Sequence, residues 1–170
     1  GTDWRNREVN TDWQDTAFQD GFNTDADFSV SGGDAKTKYF LSGAYNNTTG
    51  IIINNALERI TARTNVSHKI SDRFTAGMNL SFSRSEIDRI QDDNSFTTPL
   101  QAVAQSPLSP ARLADGTANP NTLYANYLLA MDNTFWKTIM RRVTGKVYGE
   151  LKIIPSLKAN SDFSYDLLSQ

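Results

Sequence analysis

The sequence predicts an all-β protein in which antiparallel up-and-down strands form part of a large transmembrane β-barrel. Three observations predict this. Apolar and polar residues alternate over six long segments, short connections alternate with long ones, and charges on the apolar faces fall near strand ends. A mean hydropathy of -0.50 agrees with strands that are apolar on one face only.

Residues 1–23 are predicted to form a lead-in that contains one short helix. Thr11 and Gln14 have the spacing of a capping box, in which the two residues satisfy each other's free backbone donors. Trp13 then lies on the apolar face of a brief helix that ends by Gly21.

Residues 24–170 are predicted to hold about six strands of an incomplete barrel. The predicted strands cover residues 25–31, 38–46, 59–70, 74–83, 138–153 and 157–167. Several of them are close to the ~9–11 residues of a tilted membrane-crossing strand, whereas strands in soluble domains average about 5–6.

The apolar face of these strands is predicted to contact lipid. Its members are Tyr39, Leu41, Tyr45, Phe74, Met78, Leu80, Phe82, Val147 and Phe163. The charged exceptions on this face, His68, Arg84 and Arg141, fall near strand ends. A charge costs only about 0–1 kcal/mol there, against ~2–4 kcal/mol for Lys or Arg at the bilayer midplane.

The opposite, polar face is predicted to line the lumen. It carries Arg59, Arg63, Arg142 and Lys146. We interpret these cations first as solvation or plug contacts, because the interior of a barrel is polar in any case. Steering of a polar substrate is the alternative.

The connections follow the same plan. Tight turns are predicted at residues 31–36, 70–73 and 154–157, a medium loop at 47–57 and a long outer loop at 87–136. Outer-membrane barrels have short periplasmic turns and longer extracellular loops, and long loops are uncommon in compact soluble domains. Within the long loop, Pro99 is predicted to open a short helix over residues 100–105.

No residue pattern predicts chemistry. The chain has no Cys and a single His, and no catalytic constellation, metal site or cofactor site can be assembled, so we do not expect an enzyme. Asp88, Asp92, Asp93 and Asn94 could hold Ca²⁺, but a solvated loop entry is the preferred interpretation. A formal charge of -2 argues against a nucleic-acid partner.

Six strands are too few to close a membrane barrel, since single-chain bacterial barrels begin at about 8 strands. Free strand edges are not tolerated in lipid, where their backbone groups have no water to bind. We therefore expect the chain to be a segment whose edge strands pair with the rest of its own barrel.

Several stretches resemble the early barrel of the SusC/RagA family of TonB-dependent transporters. They are residues 10–13, 28–33, 36–43, 50–53, 59–65, 71–73 and 79–81. The order and spacing fit over residues 10–85, and residues 29–53 are the most specific part.

The resemblance implies a large plugged barrel in the bacterial outer membrane that imports glycans or peptides. It implies four partners: the plug domain, TonB (through an N-terminal region outside this chain), a SusD-like surface lipoprotein that acts as a lid, and outer-membrane lipid. The segment alone would not transport. The alternative is a soluble, secreted β-sandwich-like module that binds a glycan or protein.

Aromatic residues in the long loop have two interpretations under this resemblance. The residues are Tyr124, Tyr127, Phe135 and Trp136. They would contact sugar rings or the lid protein, because aromatics give a large contact area at low entropic cost. Alternatively they pack the loop onto itself or form the outer girdle, and we prefer this second interpretation because long ordered loops need internal anchors.

Overall fold

The computed structural model describes residues 9–90, 99–134 and 136–170. In chain order its elements are α1 (Trp13–Ala17), β1 (Phe22–Gly33), β2 (Thr37–Thr49), β3 (Ala56–Lys69), β4 (Phe74–Asp88), a 3₁₀ helix (Pro99–Ala104), α2 (Tyr127–Asn133), β5 (Lys137–Ile154) and β6 (Leu157–Ser169). No helix in these ranges is both long enough and apolar enough to span a membrane.

The six strands form one sheet in the order β1-β2-β3-β4-β5-β6, so each strand pairs with its neighbours along the chain. This arrangement confirms the prediction of antiparallel up-and-down strands. Leu80, Val147 and Phe163 test the sandwich alternative, which would bury them between two layers. They are instead 37%, 52% and 68% exposed, and the described strands form a single layer.

The strands are longer than the alternation predicted, at 12 to 18 residues. Polar residues at the strand ends interrupt the apolar–polar alternation in the sequence. They still belong to the strands, because the hydrogen bonds between neighbouring strands are formed by the backbone and not by side chains. The β5–β6 register pairs Val147 with Phe163 and Gly145 with Tyr165. Directly opposed residues share a face, so these four residues lie on the apolar face.

Aromatic rings cover glycines on this apolar face. A Cβ atom added to Gly145 would overlap Cε1 of Tyr165, and one added to Gly32 would lie 2.6 Å from the Tyr39 hydroxyl. Such aromatic–glycine pairs bury backbone that a glycine would otherwise leave uncovered and help to fix the register. In this sheet, the space left by the absence of a glycine side chain is therefore filled by an aromatic ring from the neighbouring strand.

The described chain separates into two compact units. The strand unit comprises residues 23–47, 57–86 and 138–170, and the described part of the loop unit comprises residues 9–22, 48–56, 87–90, 99–134 and 136–137. Within the described residues, every buried apolar side chain belongs to the loop unit: Trp13, Ala17, Ala102, Ala111, Ala118, Tyr127 and Leu128. The strand unit has no comparable apolar cluster in the part described.

The helices of the loop unit differ from the sequence prediction in three respects. Asp12, not Thr11, caps α1, because its carboxylate accepts the Gln14 N–H at 2.9 Å while the Thr11 N–H donates to the Pro107 carbonyl. The helix predicted to start at Pro99 and continue through residues 100–105 does start there, but it is a 3₁₀ helix over Pro99–Ala104. The third difference is α2, which the sequence did not predict.

Substitution of Gly145 tests the covered-glycine packing. Ala at this position should displace the Tyr165 ring and lower the unfolding free energy of the intact barrel by about 1–3 kcal/mol, as overpacking does. Urea unfolding of the full-length protein in lipid vesicles would measure the change.

Gly43→Ala is the matched control, because its added Cβ would meet only the Thr61 carbonyl oxygen at 3.8 Å. Its cost should stay within about 0.5 kcal/mol. Equal costs for the two variants would contradict the packing role of Gly145.

Candidate functional site

The polar face of the strand unit gathers the cations that the sequence assigned to the lumen. Arg59, Arg63 and Arg142 line one recess of about 710 Å³, and Arg63 and Lys146 line a second. Small hydroxyl side chains fill the spaces between them, among them Ser81. The structure therefore brings all four predicted residues onto one hydrophilic surface.

Cations on β5 and β6 are paired diagonally with carboxylates. Arg142 makes two hydrogen bonds to Asp166, one of them 2.9 Å from Nε to Oδ1, and Lys146 lies 3.0 Å from Asp162. The β5–β6 register places Asp166 opposite Thr144, which shows that the Arg142 pair is diagonal. These side chains are about half exposed, so each pair contributes at most about 1 kcal/mol.

Arg59 and Arg63 on β3 are different. Nε of Arg59 donates to the Ser85 hydroxyl at 3.2 Å, and Ser85 is only 7% exposed. For the Arg63 side chain, no ion pair or hydrogen bond is found within the described ranges. Of the four polar-face cations, the two on β3 are therefore less neutralised by protein than the two on β5.

The opposite face exposes the nine residues that the sequence assigned to lipid. Their exposed fractions range from 37% for Met78 to 68% for Phe163. Large apolar side chains exposed over a continuous area indicate a surface that contacts lipid or another protein. That the contact is lipid stays a prediction at this point.

The loop aromatics divide into a buried member and two exposed members. Tyr127 is 1% exposed, packs edge-on against Trp13 with ring centroids 6.4 Å apart, and shares a short hydrogen bond with Thr16. Burial raises the pKa of the Tyr127 hydroxyl. Tyr127 is thus an internal anchor, while Tyr124 and Trp136 are 46% and 45% exposed.

The Tyr124 backbone and the Trp136 ring each have a polar neighbour. Nε2 of Gln105 donates to the Tyr124 carbonyl at 3.0 Å, and the Arg89 guanidinium lies 5.6 Å from the Trp136 ring centroid. These residues remain accessible for an external contact. Phe135, the fourth predicted aromatic, lies outside the described residues.

Buried amide side chains organise the long loop, and the sequence analysis missed them. Asn126 caps α2 by accepting the Leu128 N–H, and its Nδ2 donates to the carbonyls of Ala111 and Asn119 at 2.9 Å each. Asn126 is 3% exposed. The only available signal was an Asn placed directly before a short apolar run, which is a helix start pattern.

An ion pair closes the same loop at the surface. Arg112 donates two hydrogen bonds to Asp132, at 2.6 and 3.0 Å, and a third to the Gly116 carbonyl. The hydrogen bonds from Arg112 hold the pKa of Asp132 below its usual value.

The acidic cluster weighed for Ca²⁺ is mostly outside the described residues. Of its members only Asp88 is described, and its Oδ1 lies 3.6 Å from Nζ of Lys137. No group of His, Asp or Glu side chains in the described ranges is arranged to hold a metal ion.

Asn126→Ala should loosen the long loop. The substitution removes the α2 cap and leaves the Ala111 and Asn119 carbonyls without these bonds, which costs about 1–3 kcal/mol for buried groups. Limited proteolysis of the folded full-length protein should cut this loop faster.

Asn133→Ala serves as the control, since its exposed Nδ2 bonds only the Leu129 carbonyl one turn earlier. Cleavage should stay close to the rate of the parent protein. If both variants were cut equally fast, the buried amide would not be the anchor.

The Arg112–Asp132 pair predicts a pH-dependent loop. The pKa of Asp132 is lower in the folded loop than in the unfolded chain. The ionised carboxylate therefore contributes its full stabilisation of the loop above the ordinary Asp pKa of about 3.9, and this stabilisation is lost as the pH falls through the pKa of the folded state. Amide exchange of α2 should therefore be faster in Asp132→Asn than in the parent protein at neutral pH, with the difference shrinking in acid. Arg112→Gln should raise the exchange rate of α2 at neutral pH by a similar factor. A difference in exchange rate between variant and parent protein that persists at acidic pH would contradict the pairing.

A single up-and-down sheet with long strands, one exposed apolar face and one hydrophilic face defines a class of protein. The strands have the architecture of one segment of a large up-and-down β-barrel. Comparison with known proteins identifies the kind of barrel.

No family model matches the chain. Two curated relatives come from Formosa agariphila: TonB-dependent receptor P3 is 40% identical over 82 residues, 48% of this chain, and TonB-dependent receptor P26 is 27% identical over 110 residues, 65% of it. The chain spans only 8% and 11% of their respective lengths.

Solved structures of RagAB agree. The RagAB peptide transporter superposes with a TM-score of 0.74 at 16% identity, over 95% of this chain and 19% of the RagAB chain. The RagAB peptide importer gives 0.76 in its closed-closed state and 0.75 in its open-open state, at 17% and 18% identity. The resemblance to the SusC/RagA family of TonB-dependent transporters is confirmed for a barrel segment. The relatives are receptors and transporters by name, not enzymes.

Proposed function

We propose that this chain is a wall segment of a TonB-dependent importer in the bacterial outer membrane, which takes up glycans or peptides. The observation that carries the proposal is the exposed apolar face of a single sheet, because a water-soluble protein would cover such a face. The curated relatives support the TonB-dependent class. The segment forms part of the barrel wall, and transport requires the whole barrel.

The two faces of the sheet give the segment its part in this function. Tyr39, Leu41 and the other exposed apolar residues contact outer-membrane lipid, while Arg59, Arg63, Arg142 and Lys146 face the lumen and its plug domain. A polar interior wall is needed because the barrel encloses water and a plug rather than hydrocarbon. The diagonal ion pairs support this arrangement, since carboxylates so exposed would be costly in lipid.

The loops would serve the external side of the transporter. The connections β2–β3 and β4–β5 leave the sheet at the end opposite to its three tight turns. In outer-membrane barrels the long connections are extracellular. Tyr124 and Trp136 are then the accessible aromatics for a substrate or for a SusD-like surface lipoprotein.

The substrate is narrowed to two classes. RagAB is a peptide transporter, and the resemblance to SusC implies glycans as the other class. Uptake by cells with and without the full-length gene, using labelled oligosaccharides and labelled oligopeptides, would test both. We expect the uptake of one of the two labelled substrate classes to be lost both in the strain without the full-length gene and in a strain without TonB. Uptake that survives both deletions would contradict an importer role.

Met78→Arg tests the lipid contact directly. Met78 lies midway between Phe74 and Phe82, so a charge there should reach the bilayer midplane and cost about 2–4 kcal/mol. Urea unfolding in vesicles and the yield of heat-resistant folded barrel in outer-membrane fractions would both report the loss.

Asn79→Arg is the matched control, one residue further along β4 and on the polar face. It should assemble nearly as well as the parent protein. Equal loss in the two variants would show that neither face contacts hydrocarbon.

A further inference from the structure

A row of charges crosses the apolar face near the end of the sheet from which the long loops leave. Glu58 on β3, Arg84 on β4 and Arg141 on β5 follow the alternation of the apolar residues on their strands. We call these three residues the outward charge row. Charged side chains at one depth on three neighbouring strands mark a boundary of the apolar band.

The β4–β5 register places two arginines of this row opposite each other. The Lys152 N–H donates to the Arg73 carbonyl at 2.7 Å near one end of the strand pair, and the Arg89 N–H donates to the Trp136 carbonyl at 3.2 Å near the other. Both bonds fit one register, in which Arg84 lies opposite Arg141. Like charges directly opposite one another destabilise a sheet.

Carboxylates relieve only one of the two arginines. Arg84 lies 2.6 Å from Glu86 and 3.9 Å from Glu58, and its side chain is 29% exposed. Arg141 is exposed, and its partner in the β5–β6 ladder is Ser169. Among the described residues no hydrogen bond or ion pair involves the Arg141 side chain. An anion from outside the described residues would balance it.

The depth of Arg141 identifies where that anion would be. From Val143 to Ile153 the apolar face of β5 carries no charge over ten positions. At ~3.3 Å per residue and a tilt of ~40°, that stretch spans roughly 25 Å, the height of the apolar band of an outer-membrane barrel. Arg141, immediately beyond it, is then level with the lipid headgroups.

We propose that Arg141 binds the phosphate group of a lipid in the outer leaflet, beside Arg84. The inference rests on the proposed membrane role of the sheet. The guanidinium fork matches phosphate oxygens and can donate two parallel hydrogen bonds to them. Arg84, already satisfied by two glutamates, reinforces the positive potential without being available as the principal ligand.

Native mass spectrometry of the full-length protein, purified in detergent, tests this inference. The probe is dioleoyl phosphatidic acid, and dioleoylglycerol is the comparison lipid with the same chains but no phosphate. Arg141→Gln should reduce retained phosphatidic acid by at least about two-fold, because the bidentate phosphate contact is lost. Retention of dioleoylglycerol should not change.

Arg142→Gln is the matched control, since it removes a neighbouring arginine from the polar face. It should retain phosphatidic acid like the parent protein. Unchanged retention in Arg141→Gln, or an equal loss in Arg142→Gln, would overturn the inference. Displacement of the lipid by an equal concentration of inorganic phosphate would overturn it too, because the site would then have no preference for lipid.

Measuring the assembly of the folded barrel in the outer membrane distinguishes failure of this inference from failure of the proposed function. A variant series that assembles in the outer membrane and runs as a heat-modifiable barrel, yet retains phosphatidic acid equally, refutes only the lipid site. Absence of the parent protein from the outer-membrane fraction would refute the importer proposal itself.

Discussion

In the proposed membrane setting, the backbone N–H and C=O groups of the strands must all be hydrogen-bonded within the protein. A membrane-crossing strand has no water to satisfy its N–H and C=O groups, so it must pair along both edges over the whole apolar depth. The consecutive pairing of β1 to β6 and their lengths of 12 to 18 residues follow from this requirement. Both outer strands, β1 and β6, are exposed along their full length. They require partner strands, which is why the chain makes physical sense only as part of a larger barrel wall.

The strand unit is therefore stabilised by contacts between neighbouring strands rather than by a buried apolar core. The strand unit places its large apolar residues outside, so burial between layers cannot stabilise it, and the cross-strand contacts must do so. Aromatic rings over glycines, such as Tyr165 over Gly145, supply contact where a side chain is missing. The loop unit is organised differently: it has an apolar cluster around Trp13 and Tyr127, with Asn126 bonded to carbonyls inside it. One chain thus contains two kinds of stabilisation, each suited to its surroundings.

The strands were predictable from the sequence because alternation is a local property of the backbone. A period of two residues assigns both the strand and the face of each side chain, so the positions of Arg59 and Met78 on opposite faces needed no tertiary information. The interior of the long loop was not predictable in this way. Asn126 forms bonds to carbonyls 15 and 7 residues away, and Pro107 accepts the Thr11 N–H that the predicted capping box would have paired with Gln14. Such choices are made by tertiary neighbours, which no local pattern contains.

The pairing of charges across the polar face has a consequence for what the proposed lumen would attract. Lys146 and Arg142 are offset by carboxylates on β6, so they add little to the potential at a distance. Arg59 bonds a serine rather than a carboxylate, and the Arg63 side chain makes no ion pair within the described residues. Of these four cations, the two on β3 are therefore the ones without a carboxylate partner in the described residues. Under the proposed function, acidic groups of a plug or substrate would be attracted most strongly to these two, because the field of an unpaired charge extends further than that of an ion pair, whose opposite charges cancel. The wall is consequently asymmetric in charge along its width, even though its polarity is uniform.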